Sequence, residues 1–79
     1  MFIKLSLIDP KYLVNAIRAL EEAIQIAPTD AKLFYNLGLT YYRIGDHQKA
    51  IQILEKTLLM RSNYEEAQLA LKYILEEAK

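Results

Sequence analysis

The stretch Phe34-Tyr35-Asn36-Leu37-Gly38-Leu39-Thr40-Tyr41, closed by Gly45-Asp46 and followed by Ala50-Ile51-Gln52-Ile53-Leu54, decides the fold of this chain. Its pattern recurs on either side at a spacing of 34 residues. Ala16, Ile17, Leu20, Ala23, Ile24 and Pro28 stand one period before Ala50, Ile51, Leu54, Thr57, Leu58 and Ser62. Leu33, Leu37 and Tyr41 stand one period before Ala67, Leu71 and Leu75. Self-similarity at a fixed period marks a repeat architecture, and this period fits a helix–turn–helix unit. Units of that kind build binding surfaces by stacking.

Working outward, the apolar spacing predicts four helices. The central one covers Ala31 to Ile44, with Phe34, Leu37, Tyr41 and Ile44 as its inner stripe. Thr29-Asp30 caps its start, and Gly45 ends it, adopting the left-handed conformation without steric cost. Asp46 caps a following helix that runs to about Met60, with the stripe Ala50, Ile51, Leu54, Thr57 and Leu58. An earlier helix opens at Asp9-Pro10, an N-cap residue followed by a pre-organised first position. Its stripe is Leu13, Ala16, Ile17, Leu20, Ala23 and Ile24, and it ends near Ala27, before Pro28. The last helix is expected from Tyr64 to Ala78, with Ala67, Leu71, Ile74, Leu75 and Ala78 on one face. The short links force successive helices to lie antiparallel. The fold class is therefore all-α, a short array of antiparallel helices.

Composition narrows the function. With 53% hydrophobic and 25% charged residues the chain is globular rather than disordered. Its 79 residues make one small domain that buries only about 60% of its unfolded surface. Ten acidic and ten basic residues cancel, which argues against nucleic acid, whose binding needs Lys and Arg to neutralise phosphates. A polyanionic membrane surface is disfavoured for the same reason. There is no cysteine, so disulfides and thiolate metal sites are ruled out. No run reaches the ~18 apolar residues of a spanning helix. The compartment is not indicated, and the cytoplasm is only a default expectation. The apolar opening Met1-Phe2-Ile3-Lys4-Leu5-Ser6-Leu7-Ile8 reads as the remnant of a preceding helix, and the chain as a fragment of a longer protein.

Residues 31–64 resemble a tetratricopeptide repeat, through Phe34-x-x-Leu37-Gly38-x-x-Tyr41, Gly45-Asp46 and Ala50-x-x-x-Leu54. In this reading Gly38 lets the two helices of the hairpin approach closely, and Ala50 does the same from the other side. Residues 1–8 are then a remnant of a first helix, 9–30 the second helix of a partial repeat, 31–64 one complete repeat, and 65–79 a terminal first or capping helix. The chain departs from the family pattern in four places. His47 stands where a bulky aromatic is usual, Thr57 replaces a small Ala, Ser62 replaces the closing Pro, and Lys72 takes the position matching Gly38. A Lys there would prop apart a following helix, which suits a last helix.

Helical spacing puts Lys32, Tyr35, Leu39, Tyr42 and Arg43 on a face distinct from the core stripe. Glu66, Leu69, Tyr73 and Glu76 hold the matching places on the last helix. The resemblance implies that this face lines a concave groove holding peptides, so Lys32, Tyr35, Leu39, Tyr42, Arg43, Leu69 and Tyr73 are the expected partner-binding residues. Tyrosine suits that task because it offers contact area and a hydrogen-bonding tip. Asn36 stands where chaperone-binding members carry an Asn that clamps a peptide carboxylate, but the partner positions here are Glu66 and Ala70. The clamp is incomplete, and Asn36 is read as serving repeat geometry. His47, the only histidine, lacks companion ligands and is read as a surface residue. No nucleophile triad, phosphate loop or cofactor motif is present.

The leading expectation is a non-enzymatic protein–protein interaction module, or scaffold, that takes a peptide or partner subunit. A second is a structural element that self-associates as a homo-oligomer through an N-terminal apolar face of Leu13, Ile17, Leu20 and Ile24. A third is an accessory tail of a larger enzyme or membrane protein. Neither a cofactor nor a metal is expected.

Overall fold

The computed structural model describes residues 10–77, and the described secondary structure is entirely helical. Helix α1 spans Pro10–Ile26, α2 Ala31–Ile44, α3 His47–Met60 and α4 Glu65–Glu77. The expected Asp9 cap, the remnant helix over 1–8 and Ala78 lie outside the described residues. Two boundaries differ from the sequence reading by one residue. Helix α1 stops at Ile26, and Ala27 begins the turn that Pro28 imposes. Helix α4 opens at Glu65, because Tyr64 closes a turn on the Arg61 carbonyl at 3.2 Å and then accepts from the Gln68 amide at 3.1 Å.

Each helix end has a chemical cause. Asp30 sits in extended backbone and its Oδ1 accepts from the Lys32 amide at 3.1 Å. Asp46 Oδ1 accepts from the Lys49 amide at 3.1 Å, satisfying a first-turn donor of α3. Gly45 has φ +98°, the left-handed conformation expected of it. Around it the Gly45 amide reaches the Tyr42 carbonyl at 3.1 Å and the Asp46 amide reaches the Tyr41 carbonyl at 2.9 Å. That bond pair is a Schellman motif, and it satisfies two end carbonyls of α2.

The helices stack in order. α2 packs most extensively on α3, then on α1, while α4 packs on α3 and touches α2. Among the described helices α1 touches α2 alone. Consecutive helices run antiparallel, so α2 and α4 are parallel neighbours. Contacts between them confirm this, pairing start with start (Tyr35 with Tyr64) and end with end (Tyr42 with Glu77).

The core centres on Ala50, Leu54, Ala67 and Ile74, each at most 1% exposed. Gly38 lies against it. A Cβ built at Gly38 would stand 3.0 Å from Leu54 Cγ and 3.5 Å from the Ala50 carbonyl oxygen. Thr57, where a small Ala was expected, is fully buried, and its hydroxyl donates to the Ile53 carbonyl at 2.9 Å. The hydroxyl is thus satisfied within its own helix, and the extra methyl fills core volume. Thr40 is buried in the same manner, donating to the Asn36 carbonyl at 2.8 Å.

The expected apolar face of α4 needs one correction. Ala67 and Ile74 are buried and Leu71 is half-buried, but Leu75 is 44% exposed. Leu75 shares its side of α4 with Gln68 and Lys72, and no described helix covers that side. The residues of the expected N-terminal apolar face are partly covered. Leu13 is buried, and Ile17, Leu20 and Ile24 are half-buried.

Candidate functional site: the face shared by α2 and α4

The residues expected to bind a partner fall on one side of the parallel pair α2 and α4. Lys32 and Arg43 are exposed near the two ends of α2, with half-buried Tyr35, Leu39 and Tyr42 between them. Leu69 and Tyr73 of α4 are 67% and 57% exposed. Spacing in steps of three and four aligns each set along one side of its helix.

The tyrosines are not independent. Tyr42 and Tyr73 meet edge to face, their ring centroids 6.3 Å apart. The Tyr42 hydroxyl donates to Glu77 Oε1 at 2.5 Å, tying the last turn of α4 to α2. The Tyr42 ring also lies 5.1 Å from that of His47. His47 is exposed and opens α3, as a surface residue does. Toward the other end, Tyr35 and Tyr64 lie 5.1 Å apart, and Arg61 lies over the Tyr64 ring at 5.3 Å. Aromatic contacts of this kind add modestly to the area they bury, so they both hold α4 in place and shape the face.

Three tyrosine hydroxyls are held above their ordinary value of 10.0. For Tyr42 the hydrogen bond to Glu77 is the main cause, followed by burial and the Glu77 charge. For Tyr41 burial leads, followed by the charge of Glu21, whose Oε2 accepts from the Tyr41 hydroxyl at 3.3 Å. For Tyr64 burial leads, followed by the charge of Glu66. All three are neutral at physiological pH, and none is poised for acid–base work.

An open depression of about 340 Å³ lies at the N-terminal end of this face, lined by Lys32, Arg61, Asn63, Tyr64, Glu65 and Glu66. Sequence reasoning found Lys32 and Glu66 but passed over Arg61 and Asn63, in a link that reads simply as polar, and Tyr64, which it took as the opening of the last helix. The pairing of Tyr35 with Tyr64 is set by how α4 docks, and no local spacing encodes it. Asn36 is half-buried. Among the described residues no group of three or more His, Cys, Asp or Glu is placed to hold a metal ion. No described helix is long and apolar enough to cross a membrane.

Comparison with known families finds two overlapping matches. Residues 13–45 match a family described as TPR repeat, and residues 31–64 match one described as tetratricopeptide repeat. A search of curated proteins returns no match to the chain.

Proposed function

The chain belongs to the tetratricopeptide-repeat family, whose members are generally protein–protein interaction modules, and from that premise we propose that it binds a protein partner or peptide through the face shared by α2 and α4. One observation carries the proposal. Leu69 and Tyr73 stay 67% and 57% exposed although they adjoin a cluster of tyrosines. Exposed apolar surface gathered in one place and rimmed by charge is the usual mark of an interaction site. Lys32, Tyr35, Leu39, Tyr42 and Arg43 complete the surface on α2. The family typically supplies scaffolds rather than catalysts, and the neutral tyrosines of this face fit that role.

The test is affinity capture followed by mass spectrometry, comparing the unmodified chain with Leu69→Ser/Tyr73→Ala. Both side chains are exposed, so helicity should persist while the captured partner is lost. An unchanged set of captured proteins would refute the assignment of this face and direct attention to α1 and the outer side of α3.

A further inference from the structure

Within its two helices the charges of this face are sorted by helix, with Arg61 of the preceding link a cation beside Glu65 and Glu66. Every charged residue of α2 is a cation, Lys32 and Arg43, and the helix contains no carboxylate. Helix α4 carries Glu65, Glu66, Glu76 and Glu77, and its single cation, Lys72, lies on a different side with Gln68 and Leu75. The face thus has a cationic half on α2 and an anionic half on α4, with Leu69 and Tyr73 exposed between the ends. The chain as a whole has a formal net charge of zero, so two copies carry no overall repulsion.

We propose that the partner this face fits is a second copy of the same chain, docked about a two-fold axis so that α2 of each copy lies against α4 of the other. The inference rests on reading the face as an interaction surface and names its occupant. A two-fold interface must be complementary to itself, because each residue contact occurs twice. A face of one sign cannot meet that requirement, and a face split into two opposite halves meets it directly. Lys32 and Arg43 then oppose the α4 carboxylates of the partner copy, while Leu69 and Tyr73 of each copy lie against Leu39 and Tyr42 of the other. Charged rims of this kind set orientation and exclude other arrangements, and the apolar centre supplies the affinity. A face two helices wide falls at the small end of interface sizes, the range of transient pairs. The pairing is therefore a high-concentration equilibrium, weakened by salt.

The experiment is sedimentation equilibrium on the intact chain and two charge-reversed variants, with circular dichroism as a check on folding. Lys32→Glu/Arg43→Glu makes both halves acidic. Glu65→Lys/Glu66→Lys/Glu76→Lys, which leaves Glu77 on the Tyr42 hydroxyl, makes both halves basic. The unmodified chain should approach twice its 9.2 kDa mass as concentration rises. Each variant alone should dissociate at least about tenfold more readily, since like charges then oppose. Mixing the two variants should restore pairing, because the acidic face of one then meets the basic face of the other. That rescue cannot come from a general loss of stability. Three results would each overturn the proposal: a unmodified chain that stays monomeric to millimolar concentration, pairing indifferent to both reversals, or variants that fail to pair when mixed. If pairing instead disappears only with Ile17→Glu, the contact belongs to α1. A monomer that still captures a different protein through Leu69 and Tyr73 refutes self-pairing and leaves the interaction surface standing.

Discussion

A single methyl group at position 38 would meet Leu54 Cγ at 3.0 Å and Cδ2 at 3.1 Å, and that contact explains why glycine stands there. Leu54 is fully buried and hemmed in by Ala50, Ala67 and Ile74, so it has little room to yield. Gly38→Leu should cost about 3 kcal/mol, the upper end of overpacking, despite the better helix propensity of leucine. Leu54→Ala should cost roughly 2–5 kcal/mol through lost burial and the cavity left behind. Either loss is a large share of a total stability of about 5 kcal/mol for so small a domain, and thermal melts would show both. This much was legible in the sequence, because Gly38 and Ala50 are small residues at the fixed positions where two helices must touch. The tyrosine hydroxyls were not legible. Tyr42 and Glu77 are 35 residues apart, and their bond depends on how α4 settles. It has a measurable effect. Tyr41, Tyr42 and Tyr64 are all raised above 10.0, so the unfolded chain ionises first. Their contribution is complete below pH 10 and is lost as pH rises above it. Melting temperature should therefore fall as pH rises above about 10. Tyr42→Phe should flatten that fall, and an unchanged slope would show that Glu77 does not hold the hydroxyl.

At the scale of the helix, the link between α2 and α3 consists of two residues, and both are committed. Gly45 at φ +98° closes α2, and Asp46 opens α3 while donating its own amide back to Tyr41. Nothing lies within 4 Å of a Cβ built at Gly45, so Gly45→Ala should cost only the left-handed backbone, about 1–2 kcal/mol. Asp46→Ala should cost about 1 kcal/mol through the lost cap. The two are neighbours, and a double variant should depart from additivity if the cap and the turn form together. Turn chemistry of this kind is written in local sequence, which is why the limits of α2 and α3 were read to the residue. The side of α4 bearing Leu75 was misjudged for the opposite reason. Periodicity assigns a leucine to an apolar face, but only a neighbouring helix buries it, and whether one exists is not a local property. Lys72, on the same side, was the better signal.

Across the whole molecule, the sequence period carried the architecture, and two family matches over residues 13–64 agree with it. The surface was harder to read. Spacing placed Tyr42 and Tyr73 on matching faces, but only the docked pair shows that they touch, leaving Leu69 and the outer part of Tyr73 exposed. The stacking order has a further consequence, for the speed and sequence of folding. No described helix touches another more than two places along the chain. Every loop to be closed is therefore short, and little entropy is lost before contacts form. Chains dominated by such local contacts fold in microseconds to milliseconds. The hairpin of α2 and α3 shares the most contact and needs only a two-residue link, so it is the natural nucleus, with α1 and α4 added from either end. Amide hydrogen exchange should then be slowest in α2 and α3 and fastest toward the outer turns of α1 and α4, since opening proceeds inward from the ends.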